Sequence, residues 1–372
     1  MTHGPLTYAQ TGVDYDPIDR FKRLCQAAAV RTAGNLKRLS FRDVEWSRGE
    51  SAYLFEQYTS FYGSQKLAFV EEGLGTKELV AAKMLQLTGL SQYRNIAQCT
   101  LAMIVNDIAT LALPLVVSMH CATGTSKWFD HEARCRDLAE GYADACMLAR
   151  CSWGCGETPV LKGVIHEHAA LLSGAAVGIV PEFGITGAIE DGDAIVILES
   201  SGIHANGLTL ARQIAEKLPK GYLTEMPHGR TYGDVLLDPT HIYAGFVEDC
   251  LNAKIGIHYA VNITGHGWRK LMRSGAKMTY TIVTMPECPP IFDFIQERGP
   301  VTRREMFANF NMGAGFALCV RASDTERLAD IVYAADLPFK VILAGFVTKS
   351  DKKRVVIEPE KITFEEEELQ VR

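Results

Sequence analysis

The longest apolar stretch of the chain, residues 101–117, carries two polar residues side by side, Asn106 and Asp107. They exclude a membrane span, which needs about 20 predominantly apolar residues. The wider segment 96–113 is apolar nearly all round, as a helix buried on every side must be. An unpaired carboxylate inside such a helix costs several kcal/mol, so Asp107 needs a metal, a cation or several N–H donors. A helix cap or an exposed helix edge is the other reading.

The chain has 372 residues, 47% of them hydrophobic and 22% charged, which suits two globular domains of ordinary size. A net charge of -6 offers no basic field to nucleic acid. No basic-then-apolar signal pattern opens the sequence. The ten cysteines are scattered, many in apolar runs (Cys99, Cys146, Cys319), as expected of reduced, buried thiols in the cytoplasm. Cys151 and Cys155, followed by His166 and His168, fit no standard zinc spacing and read as core thiols and surface histidines.

Periodicity predicts helices over 18–30, 78–87, 96–113, 131–150, 208–218, 268–273, 289–298 and 325–335, with another opening at Pro239 and ending near Asn252. It predicts strands over 66–70, 115–119, 175–180, 194–198, 258–263, 279–283, 316–320 and 341–346. The acidic tail, residues 365–368, reads as a solvated end. Strands alternate with helices, so the fold class is mixed α/β. A turn-rich junction after residue 184 divides the chain into 1–184 and 185–372.

Several strand ends carry chemistry. In VEEGLGTK, residues 70–77, a buried strand ends in Glu71 and Glu72, and two glycines, Thr76 and Lys77 lead into a helix. Bare backbone and a helix N-terminus favour an oxyanion. The acids would repel a bare phosphate, and a divalent cation between carboxylate and phosphate removes the conflict. A polar turn with a solvated acid pair is the alternative. Glu157, in GCGETP, is a third acid between glycines. SSGIHANG (Ser201, His204, Asn206), TGHG (Thr264, Gly265) and FNMGAGF (Asn311) each set hydroxyl, amide and glycine beside a strand end, as an anion cradle does; an N-capped loop does the same.

In order and spacing these segments resemble the aminoimidazole ribonucleotide synthetase (phosphoribosylformylglycinamidine cyclo-ligase) family over most of the chain. TYAQTGVDYD, EGLGTK, AMIVNDI, GETP, SSGIHANGLTLAR, LLDPTHIY, NITGHG and EMFANFNMGAGF are similar to that family's motifs. The wider superfamily includes formylglycinamide ribonucleotide amidotransferase, selenophosphate synthetase, thiamine-monophosphate kinase and a hydrogenase maturation factor.

The resemblance implies a two-domain fold, with an N-terminal ATP- and metal-binding domain whose strands pair across a homodimer into a barrel. The C-terminal α/β domain completes the cleft. It implies ATP and Mg²⁺, a phosphoribosyl amidine as small-molecule substrate, and ring closure in purine biosynthesis through phosphorylation of the formyl oxygen. It assigns Glu72, Asp107 and Glu157 to metal, and Thr76 and Lys77 to phosphate. Ser201, His204, Asn206 and Asn311 would hold substrate, with His204 and Lys77 catalytic beside Asp107. Thr264 and Gly265 would bind a phosphate end.

The sequence departs from the family at marked points. Glu72 replaces an aspartate. SRGESAYL, residues 47–54, stands where a glycine-rich segment is expected, and Met119 where an acid is. GETP lacks the following Met-Pro. His241, Asn262 and His266 replace arginine, histidine and glycine. Two other readings therefore stand beside the cyclo-ligase: a paralogue acting on another amide or acid, and a nucleotide-binding protein without turnover.

Overall fold

The computed structural model describes residues 15–59, 63–299 and 301–369. Residues 7–14 of the opening motif lie outside them. Two sheets organise the described residues. The first contains β1 (Phe41–Asp43), β2 (Tyr53–Thr59), β3 (Gly63–Gly73), β4 (Leu113–Thr123), β5 (Ser152–Glu157) and β6 (Leu171–Ile179). Its order is β1-β2-β3-β6-β4-β5, antiparallel except for β4 with β5. The second contains β7 (Ala194–Glu199), β8 (Ile257–Asn262), β9 (Met278–Ile282), β10 (Ala314–Val320), β11 (Val341–Lys349), β12 (Arg354–Ile357) and β13 (Ile362–Glu365). Its order is β13-β12-β9-β11-β7-β10-β8, antiparallel except for β12 with β9.

The helices with the first sheet are α1 (Tyr15–Val30), α2 (Lys77–Thr88), α3 (Tyr93–Ile108), α4 (Ser126–Phe129) and α5 (Glu132–Leu148). Those with the second are α6 (Leu208–Lys217), α7 (Tyr232–Leu236), α8 (Ala244–Asn252), α9 (Pro290–Arg298), α10 (Arg303–Asn309) and α11 (Thr325–Ala334). None of them is long and apolar enough to cross a membrane.

The all-apolar pattern of 96–113 is explained by α3, which is buried along nearly its whole length against β3, β6 and α5. It ends at Ile108, and β4 takes up the remaining apolar residues from Leu113. On β6 alternate residues are buried, Leu172 and Ala176 among them, while Leu171 faces outward. That is the period-2 signature of a sheet covered on one face.

The helix expected from Pro239 starts only at Ala244. Side chains of α3 occupy the preceding backbone. Gln98 Nε2 donates to Thr240 O at 2.9 Å and Asn106 Nδ2 to His241 O at 2.9 Å, while Asn106 Oδ1 accepts from Tyr243 N–H at 2.9 Å. Groups spent on these partners cannot enter a helical ladder. The segment after Gly267 is a 3-10 helix rather than an α-helix. Strands β1, β2, β5, β12 and β13 and helix α10 carry too little periodic signal to be expected from sequence.

The acidic tail is also more than a solvated end, since Glu365 pairs with Arg354 at 2.9 Å and Glu368 with Arg304 at 2.6 Å. Cys99, Cys146 and Cys319 are buried, but Cys155 is exposed on β5 and is no core thiol.

Candidate active site

Strand alternation separates the acid pair of VEEGLGTK. Glu71 faces outward, and Glu72 shares the inner face with Ala68 and Val70, toward α3. From α3, Asp107 reaches the same place. The two border one cavity of about 250 Å³ with Lys22, Met103, Asn206, Thr264, Gly265, His266, Lys270, Arg273 and Leu369. Burial, and then the Asp107 charge, push the Glu72 carboxyl up to about 7. Asp107 is tied across to the second sheet, where Asn262 Nδ2 donates to its Oδ1 at 2.6 Å.

The opposite wall is cationic. The turn after β8 carries His266 and Gly267 in left-handed backbone, at φ 68° and 51°. A Cβ on Gly267 would lie 2.3 Å from Phe307 O, so only glycine lets this turn pack against α10. The 3-10 helix that follows supplies Lys270 and Arg273 to the cavity. Lys270 Nζ donates to Asn262 O at 3.3 Å and to Thr264 Oγ1. Burial lowers its ammonium to about 8, against the raising effect of Asp107. Arg273 donates to Gly49 O at 2.9 Å and Ser51 Oγ at 2.7 Å, clamping the SRGES segment. Helix α1 adds Lys22, and its Asp19 Oδ1 lies 3.8 Å from His266 Nε2. Burial holds the His266 imidazole down to about 3, so it is neutral near pH 7.

Of the residues expected from sequence, the cavity gathers Glu72, Asp107, Asn206, Thr264 and Gly265. The others are set elsewhere. Lys77 is fully buried, with Nζ donating to His204 O at 2.8 Å and Asp238 O at 2.6 Å. It pins the SSGIHANG loop to α2 instead of facing the cavity. His204 is buried at φ 58°, and its Nε2 accepts from Ser201 N–H at 3.2 Å. Burial, with His241 and Lys77 nearby, holds that imidazole well below its ordinary value. Ser201 Oγ donates to Pro239 O at 2.6 Å.

Asn311 ties two loops together: its Oδ1 accepts from Ser200 Oγ at 2.9 Å and its Nδ2 donates to Gly202 O at 2.8 Å. Thr76 sits at the N-cap of α2 without a capping bond from its side chain. Glu157 is exposed on β5, accepting from Thr158 N–H at 3.0 Å. Lys22, Lys270 and Arg273 were not anticipated. For Lys270 and Arg273 the available signal was the run of basic residues in WRKLMR, directly after the glycine turn.

A cation can be tested against this donor set. Mg²⁺ takes one or two carboxylates and completes its shell with water and phosphate oxygens. Glu72 and Asp107 meet that requirement, and among the described residues no group of three or more metal-binding side chains forms a closed protein cage. Asn206 Nδ2 is buried with no hydrogen-bond partner, a donor available to a ligand oxygen.

The chain matches known proteins over most of its length. The family described as AIR synthase related protein matches through its N-terminal domain over residues 51–180 and its C-terminal domain over 190–358. A phosphoribosylformylglycinamidine cyclo-ligase of Carboxydothermus hydrogenoformans is 31% identical over 360 residues, covering 95% of this chain and 99% of that protein. The protein of the same name from Symbiobacterium thermophilum is 34% identical, covering 88% and 92%. Among solved structures, a HypE–HypF complex aligns with TM-score 0.58 at 16% identity, covering 87% of this chain and 95% of that one. AaThiL complexed with AMPPCP and TMP aligns with TM-score 0.53 at 15% identity, covering 84% and 89%. At such identities the structures speak for the fold alone. Sequence match over both halves, the two-sheet architecture and the convergence of the EGLGTK, VNDI and NITGHG segments place the chain in the AIR synthase related family.

Proposed function

We propose that this protein closes the imidazole ring of aminoimidazole ribonucleotide, consuming ATP and formylglycinamidine ribonucleotide in purine biosynthesis. The carrying observation is the single cavity where Glu72 and Asp107 face Lys270, Arg273 and Lys22. Relatives at 31–34% identity bearing the cyclo-ligase name support the choice of reaction.

An amide oxygen is a poor leaving group, and transfer of the γ-phosphoryl group of ATP to it makes a good one. The O–P bond forms as ADP departs. The ring-closing nitrogen then attacks the activated carbon, the C–O bond to phosphate breaks, and a proton leaves the nitrogen. Glu72 and Asp107 would hold Mg²⁺, which when bound offsets charge on the transferring group. Thr264, Gly265 and Asn206 would orient phosphate and substrate oxygens through O–H and N–H donors. His204 is buried, its Nε2 is taken by Ser201 N–H and its imidazole is held well below the ordinary value, which speaks against it as the proton carrier. Exposed free thiols at Cys25 and Cys155 suit the reducing cytoplasm.

The reading includes a homodimer. On the outward face of the first sheet, Phe69, Leu115 and Leu171 are 42%, 49% and 49% exposed. A second copy packing there would bury an apolar surface of the kind that monomers rarely display.

The test is Mg·ATP-dependent phosphate release with and without formylglycinamidine ribonucleotide, alongside rescue of a purine-requiring strain. Release only with that ribonucleotide, and growth, are expected. Release with a different amide or acid, or nucleotide binding without any release, would replace this reading by one of the other two.

A further inference from the structure

We propose that Lys270 is the phosphate-gripping residue of the cavity, acting together with the Thr264 hydroxyl. The proposal rests on the functional reading above and names a residue outside the expected motif positions. Lys270 is only 9% exposed, yet it borders the cavity. An ammonium has three donors. Two are used, one of them on the long contact to Asn262 O at 3.3 Å and the other on Thr264 Oγ1. Glu72 and Asp107 are near enough to act on its charge, but among the described residues no carboxylate forms an ion pair with it. A buried cation held short of its counter-charges is costly, and such a cost is expected where a ligand comes to lie between them.

The charge layout specifies that ligand. A bare phosphate would be repelled by the carboxylates on β3 and α3, and a bare divalent cation by the ammonium and guanidinium opposite. A phosphate carrying a divalent cation presents each wall with its complement. Arg273 spends Nε and Nη1 on the SRGES segment and is only partly buried, so Lys270 is the buried cation of this wall, with a donor to spare. Thr264 accepts from Lys270 and keeps its own O–H to donate. The unpartnered Asn206 Nδ2 on the same cavity is an independent sign of a missing acceptor.

The chemistry recognised is a phosphate monoester or phosphoryl group, available from the ribonucleotide's 5′-phosphate or from the γ-phosphate of ATP. Steady-state kinetics of wild type, Lys270→Met and Lys270→Arg distinguish them. A rise of about tenfold or more in KM for the ribonucleotide, with KM for ATP unchanged, assigns Lys270 to the 5′-phosphate. A fall of about a hundredfold in kcat with both KM values unchanged assigns it to the transferred group. Either result supports the proposal, and Lys270→Arg is expected to recover part of the loss.

Thermal stabilisation by inorganic phosphate together with Mg²⁺, which needs no turnover, is expected in wild type and absent in Lys270→Met, and phosphate alone is expected to stabilise less. This arm separates failure of the proposal from failure of the functional reading. Kinetics and phosphate stabilisation both unaltered in a folded Lys270→Met protein would overturn the proposal. Should that variant not fold, labelling of Lys270 in the wild type by an amine-reactive reagent decides: protection by phosphate with Mg²⁺ supports the grip, and labelling indifferent to phosphate with Mg²⁺ overturns it.

Discussion

Among the described residues Asp107 has one side-chain hydrogen-bond partner, Asn262, and a carboxylate so enclosed needs more than a single amide. Asp107→Asn is expected to lower turnover by about a thousandfold or more while leaving the melting temperature within a few degrees, since an amide fills the same space. Calorimetry and phosphate-release assays on one preparation check both halves; activity near wild type would remove Asp107 from the metal site. Lys77 makes the opposite prediction. Removing its ammonium strands two buried carbonyls, so Lys77→Met should lose roughly 2–4 kcal/mol in urea unfolding.

Glu72 gives a pH signature. Its folded-state carboxyl sits near 7, against 4.5 for the ordinary group, so the folded protein binds the extra proton between those values. Without metal or nucleotide, stability should therefore be greatest below about pH 4.5 as far as this group is concerned, and fall as pH rises toward 7, by roughly 1–3 kcal/mol. Glu72→Gln should flatten that slope in a denaturant–pH series, and Mg·nucleotide should flatten it in wild type.

At the scale of elements, the site is assembled from strand ends, and their geometry decides which residues of a motif face inward. The alternation of β3 turns Glu72 in and Glu71 out. In the SSGIHANG loop the left-handed backbone at His204 folds its ring into the core and leaves Asn206 on the cavity. Spacing reveals such a loop but not which donors turn inward: Glu72, Asp107, Asn206, Thr264 and Gly265 border one cavity, while the side chains of His204, Ser201 and Asn311 are engaged within and between neighbouring loops, a difference set largely by partners distant in sequence. The long periodic segments such as α3, α5 and β7 were legible in the sequence. The short β12–β13 ribbon, and the backbone captured by Asn106 around residues 240–243, depend on partners distant in sequence. Gly267 offers a test at this scale. Gly267→Ala would drive a methyl into Phe307 O, and a loss of about 3 kcal/mol or more in chemical denaturation is expected, together with loss of activity from a displaced Lys270.

At the scale of the molecule, the two sheets are joined by polar side chains that reach between them. Lys77, Asn106 and Asp107 from the first half contact loops and strands of the second, so disturbing the junction disturbs the cavity. If the open sheet face pairs with a second copy, Phe69→Glu combined with Leu171→Glu should shift the sedimentation coefficient from dimer to monomer, and a protein that remains dimeric would exclude that face.

The cavity is also walled by Lys22 from α1 and by Leu369, both beyond the stretches 51–180 and 190–358 that match the family pattern. Any shortened version trimmed to those matching stretches would lose the edge strands β1 and β13 and also open the pocket on two sides. The pocket thus depends on the flanking stretches as much as on the framework of the two matching domains.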